Sequence, residues 1–182
     1  MKKRLIAIAI SCLAPPVSAQ PSSEWLAQAP LPDFVVGFRD AQNGGAIVER
    51  IPRGETVEIW TRMVTVQRFA NIGPRIRYWT DTFGPSLSQA CPGAVVSRPV
   101  YSRAEGHQQV EFRVDCPRNP QTRQPETFLM RAIAGASDLY SAQIAFRHVP
   151  SAQETEWARR QLASVTLCTR ENASPVCRAP AE

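Results

Sequence analysis

The sequence predicts an α+β domain: a central antiparallel sheet of about six or seven strands with two main helices packed on it. Three observations carry this. Short runs rich in Val, Ile, Thr and Phe alternate apolar with polar residues and are separated by Gly, Pro, Asn and Asp. Two segments, 74–83 and 152–166, switch to a helical period instead. The order is three strands, a helix, four strands and a helix, which segregates helices from runs of antiparallel strands.

The first strand is "DFVVGF" (33–38), closed by the turn-rich "DAQNGG" (40–45). "AIVERI" follows, then a turn at Pro52-Arg53-Gly54-Glu55. "TVEIWTRMVTVQRF" (56–69) reads as one long strand, whose alternation slips between Ile59 and Trp60, the mark of a bulge or of burial on both sides. Ile76, Trp79 and Phe83 then fall at i, i+3 and i+7, one face of a helix. Gly84-Pro85 is expected to break it, with a short continuation towards Cys91. Strands are expected near 94–102 and 107–116. A Pro-rich loop leads to "TFLMRAIA" and "LYSAQIAFRH", joined by a turn at 135–138. Ser151 with Glu154 three residues on is a capping box, and Ala158, Leu162 and Val165 make the stripe of the second helix.

The chain opens with Lys2, Lys3 and Arg4, a short apolar run and Val17-Ser18-Ala19, which reads as a secretory leader cleaved before Gln20. The alternative is a lipoprotein acylated at Cys12. No stretch approaches the roughly 20 apolar residues of a transmembrane helix. The division is therefore 1–19 leader, 20–32 a segment leading onto the domain, 33–167 the domain, and 168–182 a tail held by a disulfide. The leader takes three of the 21 basic residues and none of the 16 acidic ones, so 18 Arg face 16 acids and no Lys remains. That balance, without a basic cluster, excludes a nucleic-acid footprint. Arg without Lys points to a GC-rich bacterial genome.

Four cysteines remain beyond the leader, an even number in an exported chain. The expected pairs are Cys91–Cys116, flanking two strands joined near Gly106, and Cys168–Cys177, closing a tail with little else to hold it. The spacings and the two histidines do not form a zinc set. No metal or cofactor motif is present, nor a G-x-S-x-G, H-E-x-x-H or phosphate-cradling glycine loop.

In "HQQVEFRVDC" (107–116), Val110, Phe112, Val114 and Cys116 share one face, and Gln109, Glu111, Arg113 and Asp115 the other. Tyr140, Ala142, Ile144 and Phe146 alternate in the same way with Ser141, Gln143 and Arg147. The expectation is a sheet with one face on the core and one in water. Within that wet face, Arg113, Arg131, Gln143 and Arg147 form a candidate binding set, because guanidinium groups grip oxygens bidentately. His148 is the candidate general base, oriented by Asp138 or Glu154, with a hydrogen-bonded place beneath Trp157 as its structural counterpart. His107, beside Gly106, is expected to be exposed. Trp60, Trp79 and Trp157 are expected to fill space between helix and sheet.

The element order, with "AGASDLYSAQIAFR" (134–147) at the position of a late hairpin, resembles the PsbP-like and Mog-like α/β/α sandwich. That fold is found in photosystem extrinsic subunits, Ran-binding Mog proteins and bacterial envelope proteins. The resemblance spans roughly 33–167 and implies an accessory or adaptor role more often than catalysis. The functional expectation is an exported, non-enzymatic accessory or binding domain. Its partner would be another envelope protein or a small anionic ligand. A small hydrolase using His148 and a secreted protein-binding effector are the alternatives.

Overall fold

A computed structural model of the chain describes residues 23–170 and 175–178. The leader, its cleavage point and Cys12 lie outside them. The elements are β1 (Glu24–Ala27), β2 (Phe34–Asp40), β3 (Ala46–Pro52), β4 (Arg62–Phe69), α1 (Ile76–Ala90), β5 (Val95–Val96), β6 (Val100–Ala104), β7 (His107–Cys116), β8 (Glu126–Ala134), β9 (Leu139–Phe146), α2 (Ala152–Ala163), β10 (Thr166–Thr169) and α3 (Pro175–Arg178). The fold class is the one the sequence predicts. Eight strands form an antiparallel sheet in the order β2-β3-β4-β9-β8-β7, and β5 and β6 both pair with the outer side of β7. Pro99, which has no N–H to donate, separates β5 from β6, so the two read as one broken edge strand.

The sheet carries a core on each face. On one, Trp79 and Ile76 of α1 pack over Phe112, Phe128, Met130 and Ala132. On the other, Ala158 and Leu162 of α2 pack over Leu129, Ile133, Ala142, Ile144 and Phe146. This is an α/β/α sandwich. The expectation of one dry and one wet face is therefore corrected. The apolar set of β7 faces α1 and the apolar set of β9 faces α2, so the two strands turn their apolar sides in opposite directions and each finds a helix. The α2 face of the sheet emerges from beneath its helix towards β7, where Glu111 is exposed, and towards β2, where Val36 is 44% exposed. No helix among the described residues is long and apolar enough to cross a membrane.

Both expected disulfides are present, Cys91–Cys116 and Cys168–Cys177. Three elements differ from the sequence reading. Helix α1 runs through Gly84-Pro85 to Ala90. Pro85 forfeits one hydrogen bond, to the carbonyl of the exposed Asp81. The Ser86 and Ser88 hydroxyls donate to the carbonyls of Thr82 and Gly84 at 3.1 and 3.2 Å, and Cys91 closes the end through its disulfide. Residues 56–61 are not strand. Glu55 accepts from both the N–H and the hydroxyl of Thr61 at 2.7 Å, which ties off a loop between β3 and β4. The slip at Ile59-Trp60 marks this loop; Ile59 is exposed and Trp60 lies in the core. The bulge sits in β2 instead, between Val36 and Phe38. Gly37 gives room there: a Cβ would come within 2.9 Å of the Ile51 and Val57 side chains, which would have to shift.

The segment before β2 is also part of the domain. β1 pairs with β10, Leu26 opposite Leu167, and Leu26 and Leu31 pack on the α2-side core. The Glu24 carboxylate accepts from the N–H of Ala136 at 3.0 Å, and the Tyr140 hydroxyl donates to the Glu24 carbonyl at 3.2 Å.

Candidate functional site

Where β9 ends, the chain continues as Arg147-His148 and forms part of a cleft of about 570 Å³. The loop between β3 and β4 supplies Glu55, Glu58, Ile59, Trp60 and Thr61, and the loop between β7 and β8 supplies Gln121, Thr122 and Gln124. The Arg147 N–H donates to the Thr61 carbonyl at 3.1 Å, which extends the ladder one residue past the strand and fixes the cleft floor.

The Arg147 guanidinium lies 4.1 Å from the centre of the Trp60 ring, and its Nη1 donates to the Glu58 carbonyl at 2.6 Å. Its Nε–H is buried without an acceptor. The cation is thus committed to an aromatic face and a backbone oxygen. The Glu58 side chain is fully exposed, and a hydrogen bond from Thr56 lowers its pKa.

His148 Nε2 lies 3.1 Å from Glu154 Oε1, and the ring meets Phe146 edge-on at 5.8 Å. Phe146 in turn meets Trp157 at 6.3 Å, so His148 belongs to the aromatic stack at the start of α2. Glu154 Oε2 accepts from the N–H and hydroxyl of Ser151 at 2.8 and 2.9 Å, and Ser151 Oγ accepts from the Glu154 N–H: the capping box read from the sequence. The Ser151 backbone hydrogen bond is the largest influence holding the Glu154 carboxyl below its usual range, with Ser151 Oγ and His148 adding to it. Asp138, the other proposed orienter, is remote: it accepts from Arg68 Nη1 and from the N–H of Asn71.

This arrangement has the parts of a hydrolytic triad in the wrong order. Nucleophilic catalysis needs the imidazole between hydroxyl and carboxylate, so that it can take the hydroxyl proton. Here the carboxylate stands between Ser151 and His148. Thr61, another hydroxyl of the cleft, donates to Glu55.

The four residues of the proposed binding set do not meet. Arg113 and Arg131 lie on the α2 side of β7 and β8, and Gln143 on the α1 side of β9, as cross-strand pairing requires. Arg147 is in the cleft at the sheet's end. Arg131 is structural: its side chain is 11% exposed, Nε donates to Gln109 Oε1 at 2.8 Å, and Nη1 donates to the Leu162 carbonyl of α2 at 2.9 Å. Arg113 is held by Asp115 through three hydrogen bonds of 2.7–3.0 Å. His107 is half-buried rather than exposed, because its Nδ1 reaches the Ala134 carbonyl at 3.0 Å. Trp60 and Trp79 are core residues, as expected, while Trp157 is half-buried and stacks on Phe34. The loop walls of the cleft are not legible in the sequence, because a loop's approach to a strand end leaves no periodic signal; the slip at Ile59-Trp60 is the one local trace.

No family model matches the chain, and no curated protein matches its sequence. Among solved structures it is similar to the Saccharomyces cerevisiae Ran-binding protein Mog1p: TM-score 0.51, 8% identity, covering 78% of this chain and 89% of that one. A single-residue mutant of the protein Mog1 aligns over 76% of this chain and 80% of its own, with 9% identity and TM-score 0.45. The first match shows a Mog-like fold.

Proposed function

We propose that this chain is an exported bacterial envelope protein whose Mog-like domain is a non-enzymatic binding or accessory module, and that the cleft beside Arg147 and His148 is where it meets a partner protein. Export is supported by the basic–apolar–small leader and by four cysteines joined in pairs, which an oxidising compartment favours. The observation that carries the binding role is the occupancy of the cleft's candidate anion-gripping and general-base groups. Arg147 and His148 already have structural partners, while Ile59 on the rim is 77% exposed and Val149, next to His148, is 72% exposed. Spent charges beside exposed apolar side chains favour contact over chemistry. They also favour a protein over the small anion that the arginines suggested.

The test is affinity recovery from a periplasmic extract with the tagged native protein. Ile59→Asp should abolish recovery of a specific partner at unchanged Tm, and His148→Ala should leave it intact. Native protein beginning at Gln20 by intact mass would support export, whereas a diacylated chain from Cys12 would make it membrane-anchored. The hydrolase reading returns if a turnover is found that His148→Ala abolishes without lowering Tm.

A further inference from the structure

Gln143, which does not reach the arginines, belongs to another grouping. Strand pairing aligns Phe38 of β2, Glu49 of β3, Thr65 of β4 and Gln143 of β9 side by side on the α1 face. The same row continues into Met130 and Phe112, which α1 covers. Helix α1 packs against β7 and β8, whereas the polar half of the row lies on β3, β4 and β9. Along β4 and β9 the apolar pair Met63 and Ala145 flanks it one way, and Gln67 and Ser141, then Phe69 and Leu139, the other.

These are central sheet positions, where an aliphatic residue would pack without cost. Instead they hold three polar side chains. Among the described residues, none of the Glu49, Thr65 and Gln143 side chains has a hydrogen-bond or ion-pair partner. Thr65 is only 7% exposed and Glu49 is half-buried. A half-buried carboxylate without a cation is costly, and the polar atoms of all three side chains keep some access to solvent, and so to a ligand. Burial pushes the Glu49 carboxyl pKa up, with no cation to pull it back. Next to it the Phe38 ring is 42% exposed.

We propose that this row is a binding site for a small organic cation carrying a guanidinium or primary ammonium group. Glu49 accepts its N–H bonds, Thr65 and Gln143 offer further acceptors beside it, and the Phe38 ring flanks the charge. The occupant is a free small molecule, since the charge of Glu49 is half-buried on the sheet face beside the strands that helix α1 covers rather than raised on a surface loop. This site is separate from the cleft and does not depend on the role proposed for it.

The experiment is a titration of the oxidised, 15N-labelled protein with n-butylguanidinium chloride, followed by 1H–15N correlation spectra, with sodium acetate as control. Saturable shifts are expected at Glu49, Thr65 and Gln143, including the Gln143 side-chain amide, and acetate should not reproduce them. Glu49→Gln should weaken binding about tenfold or more, and should raise Tm in the probe-free protein by removing a recessed, uncompensated charge. Glu156→Gln, on the exposed side of α2, should change neither. Shifts spread over surface carboxylates, binding unaffected by Glu49→Gln, or a Tm lowered by it would overturn the proposal. Tighter binding of the blocked tripeptide Gly-Arg-Gly than of butylguanidinium would overturn the choice of a free molecule.

Discussion

Strands β7 and β9 carry the same alternation of apolar and polar residues, but they expose different surfaces. In β7, Val110, Phe112, Val114 and Cys116 are buried, while Glu111, Arg113 and Asp115 reach water. In β9 both faces are covered for most of its length: Ile144 and Ala145 are each 1% exposed, and only Gln143 is half-buried. Position in the sheet makes the difference. β9 sits between β4 and β8, with α1-side and α2-side cores on its two faces, whereas β7 lies next to the broken edge strand. Alternation therefore reports which residues share a face. It does not report whether that face is covered, which depends on where a distant helix lands.

The largest effects should come from the covered faces. Phe112→Ala in β7 should cost about 3–5 kcal/mol and Ile144→Ala in β9 about 2–5 kcal/mol, by denaturant unfolding. The comparison sharpens at the neighbouring residue. Ala145→Leu should cost about 1–3 kcal/mol by overpacking the second face of β9. A free Ala145→Leu would mean that β9, too, has only one covered side.

The disulfides offer a second break. Cys116 ends β7, and its bond closes a separation of 25 residues, against 9 for Cys168–Cys177. Chain entropy then gives about 3.5 kcal/mol for the first and about 2.6 kcal/mol for the second. Replacing Cys91 and Cys116 by Ala should lower Tm more than replacing Cys168 and Cys177. It should also raise hydrogen exchange in β7 before β9, which two helices hold without a staple. Equal exchange in both strands would contradict that contrast.

Arg131 tests the boundary between the two regimes. It sits on the α2 side of β8, where the helix edge passes over the sheet, and joins Gln109 to the Leu162 carbonyl. Arg131→Leu keeps bulk but orphans both acceptors, and should cost about 1–3 kcal/mol. A neutral result would make Arg131 a surface residue after all.

Local grammar was legible in the sequence; long-range covering was not. Strand β7, the Ser151–Glu154 cap and both disulfides depend on residues close in the chain or on adjacent hairpins. The pairing of β1 with β10 joins Ala27 to Thr166 and Glu24 to Thr169, almost the whole length of the domain apart, and nothing local in "EWLA" announces it. The site divides in the same way. His148 with Glu154 is a pairing within one turn of chain, open to sequence reasoning, and it is present. Gln143 in one row with Glu49, across Thr65, depends on two strand registers, which composition does not encode. Pro85 misleads because a proline's cost in a helix depends on whether the carbonyl it abandons is exposed, a property of the fold.

The smallest effect is the most informative about β7. Arg113 and Asp115 stand two residues apart on the uncovered stretch of that strand and hold each other through three hydrogen bonds, with Thr127 donating to Asp115 as well. Both side chains remain substantially exposed, 32% and 45%, so solvent screens the pair. Arg113→Gln should therefore change stability by less than about 0.5 kcal/mol at neutral pH. Its signature should be in acid instead. The Arg113 hydrogen bonds are the main cause holding the Asp115 carboxyl below its ordinary range. A carboxylate with a depressed folded-state pKa stabilises the protein above its unfolded-state value, and that contribution fades as pH falls through the folded-state one. Tm measured from neutral pH downwards should fall less steeply for Arg113→Gln than for the native chain over that acid window, and the two curves should converge below it. Parallel curves would show that Asp115 keeps its low pKa without Arg113, leaving Thr127 and the strand backbone as its support. A loss as large as that of Phe112→Ala would show that this stretch of β7 is covered on both faces, and the contrast with β9 would fail.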